Sequence, residues 1–172
     1  MLNSKYPVLA IIIFILCGCS QEINQKDTNK FVGLWKLYAM EVKDSLTGEW
    51  IEWNNGNQGY LLYDDKGNMA VHITTKGYEN TSYRLPYMAD SLSIDALKYR
   101  ARSMTYFAKY KVSEENQTVE HARISHSDPD EWNKVATRKF SFNGDTLTLF
   151  PLEETYDMLR LKWIKEPVSD KK

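Results

Sequence analysis

The chain of 172 residues has little cysteine: two residues, Cys17 and Cys19, both near the start. A four-cysteine zinc site and a disulfide framework are therefore excluded. Histidine is scarce too, and His72, His121 and His126 show no His-x-His or His-x3-His spacing, so no metal site is expected. Neither sign of charge dominates, with 22 basic residues against 23 acidic ones. No basic stripe of the sort that binds nucleic acid is present. Neither Gly-x-Ser-x-Gly nor a glycine-rich phosphate loop occurs, which removes common signatures of serine hydrolases and nucleotide binders. The adjacent acids Asp64 and Asp65, Glu114 and Glu115, and Glu153 and Glu154 fall in expected turns. Neighbours at a hairpin tip cannot face each other across a cleft as glycoside hydrolysis requires, so they read as solvated. No cofactor is expected. Long apolar runs are absent as well: "VLAIIIFIL" is about nine residues, where a membrane-spanning helix needs roughly 20.

That run follows Lys5 and ends in "LCGC". A short positive region before a short apolar one reads as a secretory leader. Leu16, Gly18 and Cys19 resemble a bacterial lipobox, which implies removal of residues 1–18 and lipidation of Cys19. Losing Lys5 takes one from the 22 basic residues and none from the 23 acidic ones, so the formal net charge moves from −1 to −2. Each buried methylene of an acyl chain contributes about 0.8 kcal/mol, and several chains make a firm membrane anchor. Ser20, rather than Asp, follows the cysteine, which points to the outer membrane of a bacterial cell envelope. Residues 19–30 are polar and aperiodic and read as a tether, and residues 166–172 as a tail. What remains, 31–165, has the size of one domain with one core.

Within it, period-two alternation recurs between turn signals, the pattern of antiparallel strands. "GLWKLYAMEV" alternates, "WIEW" starts a second strand, and "GYLLYDDKGNMAVHIT" is a hairpin turning at Gly67. "MTYFAKYKV", "TVEHARISH", the hairpin "TRKFSFNGDTLTLF" and "YDMLRLKWIK" follow. Between the halves, "ADSLSIDALKYRARS" allows a short helix with Asp90 or Ser93 as N-cap and Ile94, Leu97 and Ala101 as its apolar stripe. About eight antiparallel strands in succession favour closure into an up-and-down barrel, because closure removes the exposed edges. A barrel of that size can hold one small ligand.

These segments together resemble the bacterial lipocalin-like domain family. The resemblance is carried by "VGLWKL", "GYLLYDDKGNMAVHI", "MTYFAKYKVSEENQTVEHARI", "TRKFSFNGDTLTL" and "LRLKW". It implies that Gly33 and Trp35 open the first strand, that the indole plugs the barrel base, and that Arg160 lies over that ring in a cation–π contact. The family's "YFGxY" appears here as "YFAKY", with Ala108 in place of glycine. The segment "HSDPDEWNKVATR" carries the family's Pro and Trp spacing at Pro129 and Trp132, on a loop placed to border the mouth.

The chain is 13% aromatic with eleven tyrosines, which suits both strands and a cavity walled by amphipathic rings. Tyr60, Tyr106, Tyr110, His121, Arg138 and Phe140 are the candidate ligand-binding residues, and Phe142 is a further candidate for the lining. His121 shares a strand face with Val119 and reads either as a ligand contact or as a buried ring satisfied by Tyr106, Tyr110 or Arg138; the second is favoured. His72 and His126 are expected on the face opposite the apolar one. The expected function is a membrane-anchored lipocalin-like protein holding a small, largely apolar ligand for carriage, storage or sequestration in the cell envelope. Two readings compete with it. One is an interaction module docking an envelope protein through its outer surface or the 129–132 loop. The other is a barrel enzyme of isomerase or hydratase type using His121.

Overall fold

A computed structural model of the chain describes residues 30–81, 93–153 and 158–167. The leader, Cys19, nearly all of the tether, Asp90, Glu154 and the end of the tail lie outside the described residues.

The alternating segments form strands β1 (Gly33–Lys43), β2 (Trp50–Glu52), β3 (Asn57–Tyr63), β4 (Asn68–Thr75), β5 (Met104–Ser113), β6 (Thr118–His126), β7 (Val135–Asn143), β8 (Thr146–Pro151) and β9 (Leu159–Lys165). Each long strand pairs antiparallel with the next, and β9 returns to β1, from Trp35 opposite Lys165 to Val42 opposite Leu159. The result is the expected closed eight-stranded barrel. Three-residue β2 is an addition, continuing along the β1 edge beyond the end of β3. Closure leaves no long unpaired edge to recruit another chain.

Side-chain parity follows the sequence pattern along most strands. Met69, Val71 and Ile73 of β4 are buried, as are Tyr106, Ala108 and Tyr110 of β5 and Leu159, Leu161 and Trp163 of β9. Two bulges interrupt it. In β1 the register steps from Leu37 to Ala39, so Tyr38 is the extra, solvent-facing residue. In β6 Arg123 pairs with Ala108 but Ser125 with Phe107, which makes Ile124 the extra residue and turns His126 back toward the interior.

The two ends of the barrel differ, and the difference begins with loop chemistry. Tight turns join β3 to β4, β5 to β6 and β7 to β8 at one end. In the first, the Asp64 carboxylate accepts from the Lys66 N–H at 2.8 Å, the Asn68 N–H at 2.7 Å and the Asn68 amide at 2.6 Å. These bonds, the Asn68 side chain first, hold Asp64 below the usual carboxylate range. At the other end the connections are long, including residues 76–103, 127–134 and 152–158. The expected short helix lies there as α1 (Ile94–Ala101), with the Ser93 Oγ accepting from the Ala96 N–H at 3.2 Å. Its expected apolar stripe is not the buried one. Ile94 and Leu97 are exposed and Ala96 is covered, because the helix caps a rim instead of lying on a sheet face.

The tight-turn end is solid. Phe31 is fully buried at its centre, with its ring edge-on to Tyr63 at 5.2 Å, Phe140 at 4.9 Å and Phe142 at 5.1 Å between centroids. The Trp35 Nε1 donates to the Phe31 carbonyl at 2.7 Å, so the segment entering β1 is tied to the strand's own indole. Lys165 sets its ammonium 5.2 Å from the Trp35 ring. Gly33, at φ +138°, makes room for this, since a Cβ there would stand 2.8 Å from the Lys165 Cε. Gly59 is needed for a different reason. A Cβ there would meet the His72 carbonyl at 2.0 Å, where β3 and β4 approach closely. Burying a phenylalanine contributes about 1.5–3 kcal/mol, and each edge-on aromatic pair about 0.5–1.5 kcal/mol more. Phe31→Ala is therefore expected to cost roughly 3–5 kcal/mol in urea unfolding. Tyr38→Ala, on the exposed bulge, should stay within about 0.5 kcal/mol of wild type in the same experiment.

Candidate functional site: the barrel cavity

Above the Phe31 cluster the barrel is hollow. A cavity of about 630 Å³ opens at the long-loop end, within the size range of small-molecule sites. Leu61, Val71, Ile73, Met104, Leu149, Leu159 and Leu161 give it an apolar wall, and Trp163 is part of that lining. Strands β5, β6 and β7 supply a polar arc opposite: Tyr106, His121, Arg123 and Arg138. On the solvent side the arc meets Glu131, from the turn Pro129–Glu131, and Glu153, just after β8.

His121 is the centre of the arc. Its Nε2 lies 2.8 Å from the Tyr63 hydroxyl and its Nδ1 2.9 Å from the Tyr106 hydroxyl. Burial, with the positive charges of Arg138 and Arg123 behind it, lowers its pKa from 6.5 to about 3. The ring is therefore neutral at physiological pH, donating through one nitrogen and accepting at the other. Burial also raises the phenol pKa of Tyr63 and of Tyr106, so both keep their protons. One tyrosine must then give its proton to the imidazole while the other accepts from it. Tyr63 sits in the aromatic plug, where a free O–H would have no partner. We accordingly assign Tyr63 as donor to Nε2 and the Nδ1–H as donor to Tyr106, which leaves the Tyr106 proton free on the cavity side.

The arginines are held by carboxylates. Arg123 Nη1 pairs with Glu131, and Arg138 Nη1 with Glu153 and, at 3.0 Å, the Thr137 carbonyl. Arg123 also lies over the Tyr106 ring, its Cζ 5.3 Å from the centroid. Both guanidiniums are close to fully buried, at 8% and 12% side-chain exposure, while each glutamate is 34% exposed. Burial alone raises the Glu153 carboxyl, but the hydrogen bond and charge of Arg138 outweigh it and bring it below the usual range. No group of three or more His, Cys, Asp or Glu among the described residues is arranged to hold a metal ion.

A model of the lipocalin-like domain matches residues 32–165. The chain belongs to that family. No curated protein matches this lipocalin-like chain in sequence. Among solved structures it is similar to an uncharacterized protein from Bacteroides eggerthii, at 11% identity and a TM-score of 0.42, covering 79% of this chain and 99% of that one. It is also similar to a Schistosoma mansoni fatty acid binding protein in complex with arachidonic acid, at 12% identity and a TM-score of 0.37, covering 81% and 98%.

Within the lipocalin-like barrel, Tyr106, His121 and Arg138 line the cavity as expected from the sequence. Four other candidates do not. Tyr60 is on the outer face, opposite His72 and 47% exposed, because "GYLLY" is apolar on both faces and its alternation carries no contrast. Phe140 points inward but belongs to the plug against Phe31, as does Phe142. Tyr110 also sits at the closed end, donating its hydroxyl to the Asp64 carbonyl at 2.8 Å. Gly33 and Trp35 are at the closed end, but Arg160 is not over that indole. It alternates with the inward Leu159 and Leu161, so it faces outward at the mouth end, with its Cζ 3.9 Å from the Trp50 ring and its Nε 2.6 Å from Glu41. Lys165 takes the position over Trp35. His126 is likewise corrected: the Ile124 bulge stacks it on Tyr106 at 5.4 Å. Glu153, read as a solvated turn acid, is an ion-pair partner of the arc. Arg123 and Glu131 were missed as site residues. Arg123 was visible as the next inward position after His121, whereas nothing in "SDPDEW" marks Glu131 as its partner.

The buried imidazole has a measurable consequence. The folded ring takes up its proton near pH 3 and the unfolded one near 6.5, so between those values the unfolded state holds more protons. Stability should fall as pH drops from 6.5 toward 3, by at most about 1.4 kcal/mol per pH unit from this group. His121→Gln should flatten the slope between pH 6.5 and 5, read from urea midpoints across that range, even where it lowers stability overall.

Proposed function

We propose that this protein is a lipocalin-like carrier or store that takes a small, largely apolar molecule into the barrel. One observation carries the reading: a cavity of about 630 Å³ with an apolar wall, above a plugged floor and open at the opposite end. Burying an apolar ligand there recovers about 25 cal/mol for each Å² removed from water, and the small polar arc orients it. The isomerase or hydratase reading is less favoured, since burial lowers the His121 pKa to about 3 and makes the ring a weak base. The neutral probe N-phenyl-1-naphthylamine should bind saturably with about one site per chain. Val71→Trp, which fills the apolar wall, should weaken it at least about tenfold. Unsaturable binding, or binding untouched by Val71→Trp, would remove this reading.

The lipobox resemblance at Leu16, Gly18 and Cys19 supports a second element, attachment of the carrier to the bacterial cell envelope by lipid on Cys19. The serine at position 20 favours the outer membrane. Expressed with its leader in a Gram-negative host, the protein should fractionate with membranes. Cys19→Ala should move it to the soluble fraction or leave the leader uncleaved, as read by fractionation and intact mass.

A further inference from the structure

The polar arc has more hydrogen-bond donors than the protein itself uses. Four buried side-chain polar atoms lack a partner among the described residues, and three of them, Arg123 Nε, Trp163 Nε1 and Ser103 Oγ, belong to residues that line the cavity. Buried polar atoms are nearly always satisfied, so the shortage points to a ligand that brings acceptors.

Arg123 narrows the chemistry further. Its Nη1 is taken by Glu131, but among the described residues its Nε has no partner and its Nη2 has Glu153 at 3.9 Å, beyond hydrogen-bond reach. The Nε–Nη2 edge of a guanidinium presents two parallel N–H groups, spaced for the two oxygens of one carboxylate. Tyr106 adds a neighbouring donor: its ring centroid lies 5.3 Å from the Arg123 Cζ, and its hydroxyl proton is left over in the tautomer assigned to His121. At 8% exposure the Arg123 side chain is largely withdrawn from solvent. We propose that the ligand is an amphiphile with a single carboxylate, seated on the Nε–Nη2 edge of Arg123 with Tyr106 as a third donor and its chain along the apolar wall.

This deepens the carrier reading and rests on it. Glu153 stands beside the same edge as a like charge, 34% exposed, and stays paired with Arg138 Nη1. Glu131 stays on Nη1 and is also held by Lys134 at 3.2 Å. Ester, alcohol and amide analogues of equal chain length fill the apolar wall but gain less from the charged fork. Like-charge crowding by Glu153 is then the main term opposing the acid.

The test compares dodecanoic acid, methyl dodecanoate and dodecanol on the full chain at pH 7.5, by displacement of N-phenyl-1-naphthylamine. The acid should bind about tenfold tighter than either neutral analogue. Arg123→Met should remove that preference, bringing the acid to within about twofold of dodecanol in the same variant. Glu153→Gln, which keeps a hydrogen-bonding group beside Arg138, should tighten the acid alone by several-fold. Equal binding of acid and alcohol overturns the carboxylate proposal and leaves the carrier reading standing, as does a preference that survives Arg123→Met in a variant with cooperative thermal unfolding. Should Arg123→Met fail to unfold cooperatively, Glu153→Gln decides, and an unchanged or weakened acid affinity overturns the proposal. Binding of none of the three removes both readings.

Discussion

The edge-on packing of Phe31 against Tyr63, Phe140 and Phe142 is the contact from which the rest of this barrel follows. It brings together side chains from β3 and β7 with the segment leading into β1, so it can form only when the sheet has curled. The Trp35 indole hydrogen bond to the Phe31 carbonyl fixes how the chain enters. A plug at one end also decides where the empty space lies. Because the rings fill the tight-turn end, the residual volume is displaced toward the long loops, where a ligand can enter.

The polar arc would be costly in an otherwise apolar interior if its groups were not paired, since a buried charge without a partner is strongly destabilising. A neutral imidazole hydrogen-bonds two phenols at once, and two glutamates at the rim meet two arginines. The arrangement is balanced in charge but not in hydrogen bonds, because a guanidinium has five N–H groups and a rim carboxylate reaches only one side of it. His121, the most conspicuous residue in the sequence, has both ring nitrogens engaged, while Arg123 Nε has no partner among the described residues.

Much of the architecture was legible because strands alternate with period two and closure removes edges. The strand series, the hairpin at Asp64 to Gly67, the Ser93 cap and the inward positions of Tyr106, His121 and Arg138 all follow from local pattern. The failures have definite causes. Tyr60 was misplaced because both faces of β3 are apolar, and His126 because a single extra residue at Ile124 reverses parity. Arg160 was set over the wrong ring because a cation near the end of the chain was matched to Trp35 by position; its outward parity places it against Trp50.

By itself the sequence determined the fold class and the division between tight turns and long loops, since both depend on residues close together in the chain. It also determined which residue types were available: eleven tyrosines, three histidines, and no cysteine beyond Cys17 and Cys19. Only the tertiary structure decided which of them meet. The pairing of Arg123 with Glu131 depends on a bulge and a turn, and that of Arg138 with Glu153 on the β7–β8 register. Cavity position depends on how many rings fit at one end. Such properties are set by packing volume and strand register, which no local stretch of residues specifies.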